Sequence, residues 1–194
     1  MAAADMVIGP ATPADLERVA GIFAHYVLNT AVTFETAPPA VTDWRRRLDD
    51  LAGLGLPFLV ARTGGEVAGY AYAGPWRRQP AYRHTVEDSV YLAPDRTGQG
   101  LGRGLLGELL TRCGQAGARQ VVAVIADAGA ASEASVALHR SFGFVAAGRL
   151  AGVGHKHGAW IDTVLMQRDL TTLAERGRAR HRGDGAADQA GHPA

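Results

Sequence analysis

Cysteine is almost absent from this sequence, since Cys113 is the only one among 194 residues. A single cysteine cannot form a disulfide within the chain, and no Cys-x-x-Cys pair or Cys/His ligand set is present. His155 and His157 have no acidic or cysteine ligand in register, so we predict no metal site. This pattern excludes a disulfide-stabilised secreted fold and favours a reducing compartment, which makes the cytoplasm the expected location.

Long apolar runs and a surplus of charge of either sign are also missing. No stretch reaches the roughly 18 uninterrupted apolar residues of a membrane-spanning helix, and the first ten residues lack a basic region followed by a long apolar one. Lysine and arginine number 20 against 19 aspartates and glutamates, which leaves a formal charge of +1. We therefore expect neither a membrane nor a nucleic acid as a partner.

Apolar residues are plentiful instead, at 47% of the chain. That content fills one core, whereas the length is short for two independent domains. We predict one domain over residues 1–170. Residues 171–194 are rich in Ala, Gly, Arg and His without apolar periodicity, so we expect a disordered tail there.

Apolar periodicity and turn signals predict the order of helices and strands. Helices are predicted to start at Thr12-Pro13 and at Thr42-Asp43, and to cover residues 101–114 and 136–141. Strands are predicted over residues 58–62, 67–73, 84–92, 121–125, 144–150 and 160–166. The glycines at 64 and 65 suit a hairpin between the first two strands. The order ααβββαβαββ predicts an α/β fold around one mixed sheet.

A glycine-rich turn, RTGQGLGRG over residues 96–104, connects the third predicted strand to the next helix. Backbone N–H groups at a helix start attract anions, and glycine lets the backbone approach a phosphate closely. No Gly-Lys-Ser/Thr follows, and no early βαβ unit with an acidic ribose partner surrounds the turn, so neither a Walker motif nor a dinucleotide site fits. Taken alone, such a turn is more typical of a flexible helix start than of a binding site.

The strand TVEDSVYLAP followed by GQGLGRGLL resembles the acetyl-CoA-binding core of the GNAT superfamily, whose usual pattern is Arg/Gln-x-x-Gly-x-Gly/Ala. Gly100 and Gly102 match its small positions, whereas Thr97 stands where Arg or Gln is usual. The resemblance implies that the turn holds the CoA pyrophosphate and that residues 90–92 pair with the pantetheine arm like an extra strand. The cofactor-binding residues that it implies are Val90, Tyr91, Leu92, Thr97, Gly98, Gln99, Gly100, Leu101, Gly102, Arg103 and Ser132.

Four further blocks, GPWRRQPAYRHTVEDSVY, VVAVI, SVALHRSFGF and GVGHKHGAWIDTVLMQ, are similar to successive blocks of the phosphinothricin and methionine sulfoximine N-acetyltransferases. This resemblance runs from about residue 7 to 170 and implies a GNAT fold, with a central mixed, mostly antiparallel sheet flanked by helices. It also implies acetyl-CoA as co-substrate, a homodimer, and detoxifying acetylation of such amino acids, the activity behind herbicide resistance. Two positions depart from the family: Ser132 lies nearest the place of a common Asn, and Gln79 replaces a common Arg.

The resemblance implies roles for two titratable residues. An amine attacks a thioester only in its neutral form, so an α-ammonium group needs a proton acceptor. The family pattern assigns this role to Glu87, directly or through a water. His139 lies where many GNAT enzymes carry the tyrosine that protonates the departing CoA thiolate. Outside this motif, Glu87 would be interpreted as an exposed strand carboxylate and His139 as a helix surface residue.

The blocks also imply an acceptor site for a small amino acid. Arginine suits bidentate recognition of carboxylate and phosphinate groups. The substrate-binding residues that the blocks indicate are Phe34, Trp76, Arg77, Arg78, Tyr82 and Lys156. The aromatic ones are equally typical of core or dimer packing. The alternatives are another small amine as acceptor, or an acyl-CoA-binding domain without catalysis, although retention of Glu87 and His139 argues against the latter.

Overall fold

The computed structural model describes residues 6–171, which form one seven-stranded sheet with helices on both faces. The strands are β1 (Met6–Pro10), β2 (Phe58–Thr63), β3 (Glu66–Pro75), β4 (Thr85–Leu92), β5 (Gln120–Ala126), β6 (Val145–Lys156) and β7 (Ala159–Asp169). The helices are α1 (Leu16–Asn29), α2 (Val41–Gly53), α3 (Leu101–Gln115) and α4 (Ala130–Ser141). The predicted tail lies outside the described residues, apart from Thr171.

The sheet is mixed, with the strand order β1-β2-β3-β4-β5-β7-β6. β4 and β5 run parallel, and every other neighbouring pair is antiparallel. Gly64 and Gly65 form the tight turn between β2 and β3, and both have the positive φ that a two-residue hairpin turn requires. The predicted α/β fold with a mostly antiparallel mixed sheet is therefore confirmed.

Three elements differ from the prediction, each because its sequence lacks a strong apolar pattern. β1 was not predicted, since MVIGP is short and becomes a strand only by pairing with β2 at the sheet edge. α4 starts at Ala130 rather than near residue 136, because alanines favour a helix without giving it apolar periodicity. β6 continues to Lys156 through a segment with two glycines, in which only Gly154 and Lys156 are buried.

Two apolar cores cover the two faces of the sheet. Neighbouring residues of a strand point to opposite faces, and Leu59 and Ala71 belong to the core under α3, whereas Val60 and Tyr70 belong to the core under α1 and α2. Cys113 is fully buried in the α3 core. Burial raises the pKa of its thiol to about 12, so this cysteine is an inert core residue rather than a nucleophile.

Two features are absent from the described part of the chain. No helix between residues 6 and 171 is long and apolar enough to cross a membrane. Over the same residues, no three side chains of the His, Cys, Asp or Glu types lie close enough together to hold a metal ion.

Candidate active site

A cavity of about 450 Å³ opens where β4 and β5 separate. The two strands pair only from Thr85 to Asp88 on β4. Beyond Asp88, β4 still pairs with β3 as far as Leu92, and β5 pairs with β7 as far as Ala126. No strand between residues 6 and 171 occupies the gap between these two edges. An extended ligand can therefore hydrogen-bond to the backbone there as an added strand does.

The cavity brings together many of the predicted site residues. It is lined by the predicted residues Phe34, Glu87, Val90, Tyr91, Leu92, Thr97, Gly98, Gly102, Ser132 and His139. Gln99, Gly100, Leu101 and Arg103 belong to the same turn and helix start but do not line the cavity. Arg103 lies instead along the end of α4, where its guanidinium donates to the Ser141 hydroxyl at 3.2 Å.

The glycine turn has the backbone geometry of an anion site. Gly98 and Gly100 have φ values of 73° and 83°, in the left-handed region that favours glycine. Gly100 caps α3, and the first helical hydrogen bond runs from the Gly104 N–H to the Gly100 carbonyl at 3.1 Å. The first N–H groups of a helix have no partner within it, and the helix dipole adds partial positive charge. The turn can therefore hold a phosphate or pyrophosphate.

Ser132 lines the cavity, but its hydroxyl is engaged within the protein. It donates to the Ala126 carbonyl at 2.6 Å and accepts from the Ala128 N–H at 2.6 Å. A serine hydroxyl has one proton to donate. Its contacts therefore close the turn from β5 into α4, and no donor is left for a ligand.

Glu87 and Asp88 are consecutive on β4 and point to opposite faces of the sheet. Residues paired across neighbouring strands share a face. Asp88 pairs with Ala73 of the α3 core, whereas Tyr91 pairs with Tyr70 of the α1–α2 core. By alternation, Glu87 shares the α1–α2 face with Tyr91. Burial raises the pKa of Glu87, and the adjacent Asp88 charge raises it further, which suits a general base.

His139 and Asp88 form a buried pair on the α3 face. The His139 Nε2 lies 2.9 Å from Asp88 Oδ2, and its Nδ1 lies 2.7 Å from the Ser135 carbonyl. Both partners accept hydrogen bonds, so the doubly protonated imidazolium satisfies both. Burial opposes this charge, but Asp88 and the Ser135 carbonyl outweigh it and raise the pKa of His139. Glu87 and His139 therefore approach the cavity from opposite faces of the sheet.

Asp88 is a charged site residue that the sequence did not predict. Its partner lies 51 residues away on α4, so no local spacing predicts the pair. Asp88 Oδ1 is buried without a hydrogen-bond partner among residues 6–171. The signal in the sequence that could have indicated Asp88 is a second acidic residue, next to Glu87, inside a predicted strand. Carboxylates are rarely buried unless they are paired, so a partner for one of the two was to be expected.

The predicted substrate residues divide into two groups. Phe34 lines the cavity, whereas Trp76, Arg77, Arg78 and Tyr82 lie in the β3–β4 loop and do not. Both arginines are exposed, and the Arg77 guanidinium stacks on the Trp76 ring at 5.2 Å. This loop begins close to Glu87, because Pro75 pairs with Val86 on β4.

Lys156 is also absent from the cavity lining. Its side chain is buried, and its Nζ donates to the Thr33 carbonyl at 2.8 Å. The structure therefore gives Lys156 a partner in the α1–α2 loop.

The chain is similar to known acetyltransferases over most of its length. A family profile described as an acetyltransferase (GNAT) domain matches residues 8–165. The phosphinothricin N-acetyltransferase of Alcaligenes faecalis is 49% identical over 165 residues, which cover 83% of each chain. The L-methionine sulfoximine/L-methionine sulfone acetyltransferase of Pseudomonas aeruginosa is 39% identical over 81% of this chain and 90% of that protein. The structure of a phosphinothricin acetyltransferase from Sinorhizobium meliloti in complex with AcCoA superposes with a TM-score of 0.80 at 43% identity, covering 84% of this chain and 88% of that one.

Proposed function

The chain belongs to the GNAT acetyltransferase family, and from this premise we propose that it acetylates the α-amine of phosphinothricin or of a similar amino acid such as methionine sulfoximine. Acetyl-CoA is the co-substrate. The observation that carries the proposal is the cavity between β4 and β5, where a glycine turn, two free strand edges, Glu87 and the His139–Asp88 pair adjoin one space.

The residues present fit acetyl-CoA, which supplies an acetyl thioester when it is bound. The N–H groups of the glycine turn hold the pyrophosphate, and Gly98 and Gly100 allow the backbone to approach it. The unpaired edge of residues 89–92 provides backbone groups for the extended pantetheine arm. Thr97 lies at the cavity wall, where backbone binding tolerates the loss of the usual Arg or Gln.

The protons move through residues on the two faces of β4. Glu87 takes a proton from the acceptor ammonium on the α1–α2 face, directly or through one water, which leaves the amine neutral and able to attack. The amine nitrogen then forms the new C–N bond and releases its second proton to water, while the C–S bond of the thioester breaks. His139 gives a proton to the departing sulfur on the α3 face, for which one of its two ring N–H groups must leave its protein acceptor. Asp88 positions the His139 ring and stabilises its protonated form before the transfer. No covalent bond to the protein is required.

The acceptor binds on the α1–α2 face, between the β3–β4 loop and the α1–α2 loop. Arg77 and Arg78 carry two positive charges close to the first residues of β4, and a phosphinothricin-like substrate carries a carboxylate and a second anionic group. Arginine binds such groups in a bidentate manner. Trp76 and Tyr82 belong to the same loop, and Phe34 lines the cavity. Lys156 acts by holding the α1–α2 loop.

The wider biological role is part of the same proposal. Acetylation removes the positive charge of the α-amine that an amino-acid inhibitor presents to its target, so the reaction detoxifies it and confers herbicide resistance. The chain acts in the cytoplasm, where acetyl-CoA is supplied, as a homodimer. Exposed apolar side chains on β6 and β7, Trp160 above all, favour a second copy of the chain as the partner of this surface.

The proposal is tested by measuring CoA release from acetyl-CoA with phosphinothricin, methionine sulfoximine, methionine sulfone, common amino acids and spermidine as acceptors. We expect turnover with the inhibitors. Glu87→Gln should lower kcat by about 10²- to 10⁴-fold, because the general base is lost. Glu66→Gln, at an exposed position on β3, is the matched control and should keep full activity.

The other outcomes separate the alternatives. Turnover with a different amine alone would keep the chemistry and reject the proposed acceptor. Binding of acetyl-CoA without turnover on any acceptor would reject the enzyme in favour of a binding domain.

A further inference from the structure

The α1–α2 loop, residues 30–40, rests on the tip of the β6–β7 hairpin. The His157 Nε2 lies 3.2 Å from the Thr30 carbonyl, and the Lys156 Nζ donates to the Thr33 carbonyl at 2.8 Å. The third contact is between the Phe34 ring and Gly154 on β6. Three residues of the hairpin thus contact the loop that carries Val32, Thr33 and Phe34, all of which line the cavity.

The hairpin holds this loop firmly. Lys156 is 5% exposed, and a buried ammonium is stable only with a hydrogen-bond partner. Burial lowers the pKa of Lys156, while the nearby Glu35 charge on the loop opposes that shift. Breaking the contact with Thr33 would leave the ammonium unpaired, so the loop backbone has little freedom to move away from the hairpin.

Phe34 occupies the place where a side chain of residue 154 would stand. A Cβ atom on Gly154 would overlap the Cε1 and Cζ atoms of the Phe34 ring and lie 2.7 Å from its Cδ1. Gly154 does not have a positive φ, so its backbone conformation is open to alanine. The requirement for glycine is therefore steric, and the nearest atoms that impose it belong to the Phe34 ring.

The ring stands on the side of the cavity where the acceptor binds. The glycine turn opens α3 and hence lies on the α3 face of the sheet. Phe34 follows α1, which packs on the opposite face, and Glu87 points to that same face. A displaced Phe34 ring would consequently narrow the acceptor side and leave the phosphate side unchanged.

We propose that Gly154 sets the width of the acceptor side of the cavity, by leaving room behind the Phe34 ring. The inference rests on the proposed function, because it assumes that an amine acceptor binds on the side of the cavity where Phe34 lies. A methyl group at position 154 pushes the ring toward the cavity, because the anchored loop backbone cannot yield. Gly154 thus affects acceptor affinity through the Phe34 ring, although Gly154 itself does not line the cavity.

The test compares Gly154→Ala with Gly148→Ala by steady-state kinetics. Gly148 lies on the same strand, has no positive φ, and a Cβ there would meet no described atom within 4 Å, so it is a matched control. We expect Gly154→Ala to raise KM for the acceptor about tenfold to a hundredfold, the range for a misfit of one methyl group, with KM for acetyl-CoA unchanged. Gly148→Ala should leave both values unchanged. Phe34→Leu in the Gly154→Ala background should restore much of the acceptor affinity.

Equal acceptor KM values for the two alanine variants would overturn the inference, as would an equal rise in KM for acetyl-CoA. Failure of the proposed function looks different, because the unmodified protein would then fail to turn over the amino-acid inhibitors. Crystal structures of the two variants give a readout that needs no acceptor. An unmoved Phe34 ring in Gly154→Ala would reject the inference by itself.

Discussion

At the scale of single residues, Glu87 and Asp88 place the proposed base and the partner of the proposed acid on two faces of one strand. Glu87 points toward the α1–α2 face, where we propose that the acceptor binds, and Asp88 contacts His139 on α4. The negative charge of Asp88 acts on both neighbours, because it raises the pKa of Glu87 and the pKa of His139. One buried carboxylate therefore shifts the proposed base and the proposed acid in the same direction.

Asp88→Asn should move the entire pH profile of kcat to lower pH. The base must be ionised, so activity rises as pH increases through the pKa of Glu87, and the acid must be protonated, so activity falls as pH increases through the pKa of His139. Removing the Asp88 charge lowers both pKa values, and both limbs then shift toward acid. At neutral pH we expect a loss of about tenfold, below the 10²-fold or more of losing a general acid.

The measurement is kcat against pH for the unmodified chain and for the variant, with thermal unfolding as a check on folding. A purely structural role for Asp88 would reduce the amplitude of the profile and leave both limbs in place. That result would remove Asp88 from the mechanism while leaving the role of Glu87 intact.

At the scale of elements, the start of α1 shows how a short motif becomes a tertiary contact. Thr12, where the sequence predicts the helix start, donates its N–H and its hydroxyl to Asp15 Oδ2, at 2.7 and 2.8 Å. The Arg62 guanidinium of β2 adds contacts of 2.7 Å to both carboxylate oxygens. Burial opposes ionisation of Asp15, but the Thr12 bonds and Arg62 outweigh it and lower its pKa.

Asp15→Asn should lower the free energy of unfolding by about 2 kcal/mol, because it removes the charge from a buried, hydrogen-bonded pair. The folded-state pKa of Asp15 lies below its unfolded-state pKa. The stability difference between the unmodified chain and Asp15→Asn therefore has its full size above the unfolded-state pKa, and it shrinks as pH falls through the folded-state pKa. Urea unfolding at several pH values measures this difference.

Asp49→Asn provides the matched control, since Asp49 pairs with Arg45 on the exposed surface of α2. Its effect should stay within about 0.5 kcal/mol. If the two variants were equally stable, or if the effect of Asp15→Asn grew in acid, the contact with Arg62 would not stabilise the fold as described.

The elements that could be predicted from the sequence are those whose own residues encode them. The apolar face of α3 and the Gly64-Gly65 hairpin turn carry local signals, and both are confirmed. β1 and the second half of β6, residues 151–156, are strands only because of their neighbours, so no local pattern reveals them. The start of α4 was missed for a related reason, since a run of Ala and Ser is compatible with either a loop or a helix.

At the scale of the whole molecule, the site depends on contacts between distant segments. The family resemblance is confirmed and indicated Glu87, His139 and the glycine turn, all of which belong to contiguous motifs. It could not indicate that Lys156 holds the Thr33 carbonyl or that the Phe34 ring covers Gly154, because these pairs are over 100 residues apart. Physical contacts between loops, rather than motifs, give the proposed acceptor side its shape.

The outer edge of the sheet leads to the last prediction, which concerns assembly. β6 is an edge strand, and an edge presents unpaired backbone groups as well as side chains. Trp160 on β7 is 73% exposed, and Val145, Leu150 and Val153 on β6 are exposed as well. Exposed apolar side chains along a sheet edge are stabilised when another surface covers them, and a second copy of the chain offers the same edge by two-fold symmetry.

Trp160→Asp should therefore convert the proposed homodimer into a folded monomer, because the charge cannot be buried without a partner. Sedimentation equilibrium measures the mass directly. Leu54→Asp introduces the same charge at another apolar side chain, 59% exposed just after α2, and should remain dimeric. A monomeric unmodified chain, or a Trp160→Asp variant that keeps twice the chain mass, would exclude this edge as the interface. Because Trp160 lies in the hairpin that holds the α1–α2 loop, loss of the dimer with retained acceptor KM would further separate assembly from the shape of the site.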